Sequence, residues 1–195
     1  MKPFKDYEKV KPATDRVKIP AGGYEAVILS ALVKEYPTFS RLEIAIDITQ
    51  GEFKDYYKND FNAQQSEDKR WKGVLRQYIP VDDGSDKDNW TKSTFKALIE
   101  AIEDSNSGFH WDWDEKKLKN KKIGVLLRDE EYDYNGYQGM TAKPFKFIDI
   151  AKVRNGEFTV PKPKKLNNDA SGNVFSNADS SDFVEIATDS GDYPF

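Results

Sequence analysis

Asp47 followed by Glu52-Phe53-Lys54 is the one grouping in this chain that sets catalytic residue types at a working spacing. In an acid, acid-x-lysine arrangement the carboxylates hold a divalent metal and the lysine supports an attacking water, which is the chemistry of a metal-dependent nuclease. Here the two acids bracket a tight turn, whereas that chemistry normally draws them from neighbouring strands. The other candidates are thinner. His110, within Phe109-His110-Trp111, is the single histidine, and a lone histidine among aromatics reads as a packing residue. Asp112-Trp113-Asp114-Glu115 and Asp129-Glu130-Glu131 are acidic runs without partnering histidines and read as solvated faces. With no cysteine, no triad and no glycine-rich phosphate loop, the expectation is a protein that is not an enzyme and that carries neither metal nor cofactor.

Aromatic residues interleaved with bases are far more abundant. Tyr36, Phe39 and Arg41 fall together; so do Lys54, Tyr56 and Lys58; Arg128, Tyr132, Tyr134, Tyr137 and Lys143 form a third group. Lys69-Arg70-Trp71-Lys72 with Arg76 adds a fourth patch. A flat ring stacks on any nucleic-acid base for about 1–3 kcal/mol, while lysine and arginine track phosphates and release counterions. That pairing suits single strands, with affinity strong at low salt and largely indifferent to sequence. Each group has a plainer reading. Phe53 and Tyr57 lie opposite Tyr56 and would fill a core, Tyr132 and Tyr134 would form cross-strand pairs, and Trp71 would anchor an insertion.

These residues need elements to position them. Residues 1–20, broken by Pro3, Pro12 and Pro20, read as an extended arm. Tyr24 to Val33 is an apolar run of strand formers, expected to be a curved first strand. Arg41 to Ile48 alternates strictly, Leu42, Ile44, Ile46 and Ile48 on one face and Arg41, Glu43, Ala45 and Asp47 on the other, and Tyr36 to Ser40 links the two strands as a hairpin. A third strand is expected over Glu52 to Phe61. Phe95, Leu98, Ile99 and Ile102 have helical spacing, with Thr91 or Ser93 as cap and a stop near Asn106-Ser107-Gly108. Lys121 to Tyr134, an Asn135-Gly136 turn and Phe145 to Val153 complete the pattern as strands four and five. Three strands, a helix and two strands is the order of a mainly β, five-stranded OB-fold barrel. In that fold the strand two–three face and the loops between strands one–two and four–five bind nucleic acid. The expected division is an arm at 1–20, a domain at 21–160, and a proline-stiffened basic hinge with an acidic tail at 161–195.

Charge divides along the same line. The chain has 30 basic and 34 acidic residues; from Leu166 on there are six acids (Asp169, Asp179, Asp182, Glu185, Asp189, Asp192) and no base, which leaves 30 bases against 28 acids before it. The tail is expected to be disordered. Its tip, Asp189-Ser190-Gly191-Asp192-Tyr193-Pro194-Phe195, ends on aromatics where a solubilising tail would be polar, so Asp189, Asp192, Tyr193, Pro194 and Phe195 are expected to dock on partner proteins. No apolar run reaches the roughly 20 residues of a membrane helix, and the first residues lack a signal-peptide core, so a soluble cytoplasmic protein without membrane contact is expected. Self-association is left open.

The tip resembles the acidic C-terminal tip of bacterial single-stranded DNA-binding proteins, which end in Asp-Asp-hydrophobic-Pro-Phe. The body resembles instead the single-stranded DNA-binding proteins of phages of Gram-positive bacteria, through Gly23-Tyr24-Glu25-Ala26-Val27-Ile28, Leu42-Glu43-Ile44, Asp47-Ile48-Thr49-Gln50-Gly51-Glu52-Phe53 and Leu118-Lys119-Asn120-Lys121-Lys122-Ile123-Gly124. The resemblance implies an OB fold that coats single-stranded DNA in phage replication or recombination, in the host cytoplasm. It further implies a tail that recruits replication proteins. Tyr193 departs from the usual aliphatic residue, and Ser190-Gly191 stand where an acid is usual. A protein-only replication adaptor is the remaining alternative.

Overall fold

Leu29 marks the bend on which the sheet is organised. β1 (Gly22–Glu35) shifts register between Ile28 and Ser30, a bulge of the kind that curves a strand. Residues 22–27 of β1 pair with β4 (Lys122–Tyr134), and residues 26–35 pair with β2 (Ser40–Ile48), both antiparallel. β3 (Val74–Tyr78) adds to the far edge of β2, and β5 (Tyr137–Ile148) to the far edge of β4. The result is one five-stranded antiparallel sheet in the order β3-β2-β1-β4-β5. The computed structural model describes residues 2–9, 17–65, 67–134 and 136–166, and over these the chain is mainly β, as expected. The acidic tip and Asn135 of the expected turn lie outside the described residues.

The sheet does not close. β3 and β5 approach to within 8 Å between Cα atoms, yet no strand pairing joins them. Helix α2 (Asp86–Ser105) lies between strands three and four in the chain, and its Phe95, Leu98, Ile99 and Ile102 are buried in the core, as their spacing predicts. Ile28, Leu42, Ile44, Ile46, Ile123, Val125, Leu127 and Phe147 meet them there. Burying each such side chain contributes about 1.5–3 kcal/mol.

Three expectations are corrected. The third strand is not Glu52 to Phe61: a turn runs there into helix α1 (Tyr56–Ala63), and β3 is the short segment at residues 74–78. Lys54, Tyr56 and Lys58 therefore do not share a strand face. Phe53, Tyr57 and Phe61 recur every four residues, a helical period, and Asp47 draws the helix start against β2 by accepting the Tyr57 N–H (3.0 Å) and the Lys58 N–H (3.3 Å). Helix α2 begins earlier than expected, with Ser85 accepting the Asp88 N–H at 3.1 Å; Thr91 is inside the helix and bonds back to the Lys87 carbonyl at 2.9 Å. The fifth strand starts at Tyr137 and ends at Ile148, because Asp149 caps a short helix α3 (Ile150–Asn155) that Gly156 terminates at φ 70°. On β2 both faces are covered: every residue from Leu42 to Ile48 is buried. After α3 the chain returns to the sheet. Lys164 pairs with Glu130 in an isolated parallel bridge, its N–H donating to the Asp129 carbonyl at 2.8 Å.

Candidate nucleic-acid interface

The open seam between β3 and β5 is a cleft of about 530 Å³, roofed by α2. Among the described residues its lining holds six cations, Arg41, Arg76, Arg128, Lys143, Lys146 and Lys164, against one carboxylate, Glu130. Two carboxylates organise most of this charge. Glu43 on β2, its side chain 1% exposed, receives Arg41 Nε at 2.7 Å and Arg76 Nε at 3.5 Å on one oxygen, with Lys34 Nζ 3.7 Å from the other. Glu130 on β4 takes Arg128 at 2.7 Å and Lys143 Nζ at 3.1 Å. Burial alone would push the Glu130 carboxyl up, but the hydrogen bonds and charges of Arg128 and Lys143 outweigh it and hold the group below its ordinary range. Among the described residues each carboxylate is met by more than one cation, three at Glu43 and two at Glu130, which holds these cations in fixed positions on the two sides of the seam.

Aromatic rings continue the lining outward. Tyr36 and Phe39 stack at 4.6 Å between centroids, Phe39 meets Tyr78 edge-on at 5.3 Å, and the Arg41 guanidinium lies 4.9 Å over Tyr36 while donating to its hydroxyl at 2.8 Å. On the opposite side a register shift in the β4–β5 pair leaves Phe145 without a partner, and Arg128 sits 4.2 Å over its ring. Of the residues expected from the sequence, Arg41, Arg76, Arg128 and Lys143 line the cleft, and Tyr36 and Phe39 adjoin it through Arg41 and Tyr78.

The others lie elsewhere. Tyr132, Tyr134 and Tyr137 are exposed on the β4–β5 hairpin; Tyr132 faces Gly139 across the strands, and its hydroxyl would stand 2.7 Å from a Cβ placed there. Lys54, Tyr56, Lys58 and Arg70 gather around α1. Tyr56 is half-buried against Phe53 and Tyr57, and the backbone N–H and carbonyl of Arg70 both bond the Gln64 side chain. Trp71 is 8% exposed and its indole N–H donates to the Ile46 carbonyl at 3.0 Å, which fixes it as the anchor of the segment between α1 and β3. Tyr78, Trp90, Phe145, Lys146 and Lys164 line the cleft without having been picked out in the sequence. Tyr78 was hidden because β3 is only five residues long, and Lys164 because nothing local ties a lysine among prolines to a distant strand.

The Asp47, Glu52, Lys54 grouping takes a different form in space. Asp47 Oδ1 accepts the N–H groups of Ile48 and Tyr57 and Oδ2 that of Lys58, so both oxygens are committed to holding α1. Burial raises its carboxyl above the ordinary value, against the pull of these three N–H donors. Glu52 and Lys54 are exposed in the turn before the helix. Among the described residues no group of three or more His, Asp or Glu side chains is placed to hold a metal ion. Compared with known proteins, the chain matches no family model and no curated protein. No helix among the described residues is long and apolar enough to cross a membrane.

Proposed function

We propose that this chain is a non-catalytic, sequence-tolerant single-stranded DNA-binding protein whose sheet is a partly open OB barrel. The observation that carries the reading is the seam cleft, where six cations stand against one carboxylate and are interleaved with Tyr78, Trp90 and Phe145. Cations fixed by one buried and one partly buried carboxylate suit a phosphate backbone, and rings beside them suit unstacked bases; a duplex hides its base faces and uses only the first feature. The strand order, with α2 between strands three and four and the single open seam between β3 and β5, supports an OB-type barrel, which is commonly only partly closed. The resemblance of the body and of the acidic tip extends the reading to coating of exposed strands in phage replication or recombination, with residues 189–195 recruiting partner proteins.

Fluorescence anisotropy with labelled oligo-dT and with a duplex of equal length tests this. The single strand binds more tightly, and its log affinity falls against log salt with a slope of about 0.7 for each phosphate engaged. Equal affinity for the two, or binding insensitive to salt, overturns it.

A further inference from the structure

Inside the seam the lining changes character. Leu75, Leu98 and Phe147, exposed by 4%, 5% and 2%, make an apolar floor, and Tyr78, Trp90 and Phe145 add aromatic surface. Gln77 and Thr94 sit among them. The Gln77 amide N–H group donates to Thr94 Oγ1 at 3.0 Å and to the Tyr78 carbonyl at 3.1 Å, which leaves the carboxamide oxygen as an acceptor. A groove that only tracked phosphates along a surface would need cations and no interior. This one has an interior of about 530 Å³, within the roughly 300–1,000 Å³ typical of small-molecule sites. An apolar and aromatic interior, a fixed hydrogen-bond acceptor and a cationic rim are complementary to the parts of a nucleotide: flat base faces, a polar base edge carrying N–H donors, and a phosphate.

We infer that the seam cleft takes the base of one nucleotide into its interior, with the adjoining phosphates on the Glu43-centred and Glu130-centred cation clusters. This rests on the single-strand reading and deepens it. The cleft is then a pocket for a single deoxynucleotide unit, able to hold a free deoxynucleoside monophosphate, and the strand is pinned there by one inserted base.

The test is an NMR titration of the full chain with thymidine 5′-monophosphate, with deoxyribose 5-phosphate and inorganic phosphate as separate arms, repeated on Ala97→Phe. Ala97 lines the cleft from an exposed position on α2, so a phenylalanine there fills the interior without removing a cation. The nucleotide is expected to move the Trp90 indole N–H and Gln77 and Thr94 resonances, whereas the two base-free phosphates move only rim residues. Ala97→Phe, checked for an unchanged melting temperature, is expected to abolish those shifts and to weaken oligo-dT binding about tenfold, the worth of one stacked base. If oligo-dT binds wild type and Ala97→Phe equally and the nucleotide leaves Trp90 unmoved, the pocket is overturned while single-strand binding stands. If oligo-dT does not bind at all, the single-strand reading falls, and the nucleotide titration still decides the pocket on its own.

Discussion

Glu43 and Arg76 stand opposite one another in the β2–β3 register, and Arg76 Nε lies 3.5 Å from the Glu43 oxygen that Arg41 Nε already holds at 2.7 Å. One buried carboxylate thus restrains two arginines of the cleft. Glu43→Gln keeps the shape and removes the charge that balances three cations. Removing one partner of a fully buried pair costs about 3–5 kcal/mol; Arg76 and Lys34 stay partly in water, so about 2 kcal/mol is expected from urea unfolding. DNA affinity moves the other way. One added positive charge about 8 Å from a phosphate in water is worth about 0.5 kcal/mol, so low-salt binding of oligo-dT tightens about twofold. A variant that is both less stable and weaker in binding would show that Glu43 positions the arginines for DNA rather than restraining them.

Asp47→Ala strips three backbone N–H groups of their acceptor, those of Tyr57 and Lys58 at the start of α1 and that of Ile48 at the end of β2. A loss of about 1–3 kcal/mol is expected in urea unfolding, with hydrogen exchange at Tyr57 and Lys58 rising more than at β1. Cleavage of DNA with magnesium, abolished in this variant while its fold persists, would instead revive a metal role.

Gly73→Ala tests how closely α1 is held to the sheet. A Cβ at position 73 would lie 2.5 Å from a ring carbon of Tyr57 and 2.6 Å from the Ile46 carbonyl oxygen. Neither neighbour has room to move, since Tyr57 is buried and Ile46 is in β2. Overpacking of this kind costs about 1–3 kcal/mol, readable as a lowered melting temperature.

Tyr134 and Tyr137 are 73% and 77% exposed at the hairpin. Replacing either by alanine should change stability by no more than about 0.5 kcal/mol. If the hairpin continues the binding surface, each substitution weakens oligo-dT binding by about 1–3 kcal/mol; unchanged affinity in both confines the interface to the cleft.

Glu130 links stability to pH. Its carboxyl is held below the ordinary value of 4.5, so the folded state binds its proton less readily than the unfolded chain. The stabilisation from its ion pairs is therefore complete above about pH 4.5 and drains away as pH falls through the lower folded value. Against Glu130→Gln, wild type should lose its advantage on acidification. An advantage that grew as pH fell would reverse the assignment.

Much of the sheet is legible in the sequence. The apolar run of β1, the alternation of Leu42 to Ile48 and the long Lys122 to Tyr134 strand declare themselves through strand periodicity. The third strand does not, for two opposed reasons. Phe53, Tyr56, Tyr57 and Phe61 are strand-forming residue types arranged at a helical period, and composition masks the period. Val74 to Tyr78 runs two apolar residues, two polar ones and a tyrosine, without alternation, and is too short to be told from a loop. Arg41 and Glu43 were readable as a polar face; that both would be withdrawn from water depended on Arg76 arriving from a strand that the sequence conceals. The cleft shares this origin. Its two sides come from residues nearly seventy positions apart, and only pairing across β2, β1 and β4 sets them face to face.

An unclosed sheet has a second consequence. Two strand edges without strand partners among the described residues are templates on which another copy of the chain can add, and proteins guard such edges with charge and proline. β3 carries Arg76 and β5 carries Lys143-Pro144-Lys146 with Phe145 bulged between them. The cations that would draw a polyanion to the seam under the proposed function are therefore also placed to discourage self-association. Substitutions that neutralise several of them at once will yield protein that is harder to keep in solution, and in a crowded cell a strand lying in the seam would guard the edges itself.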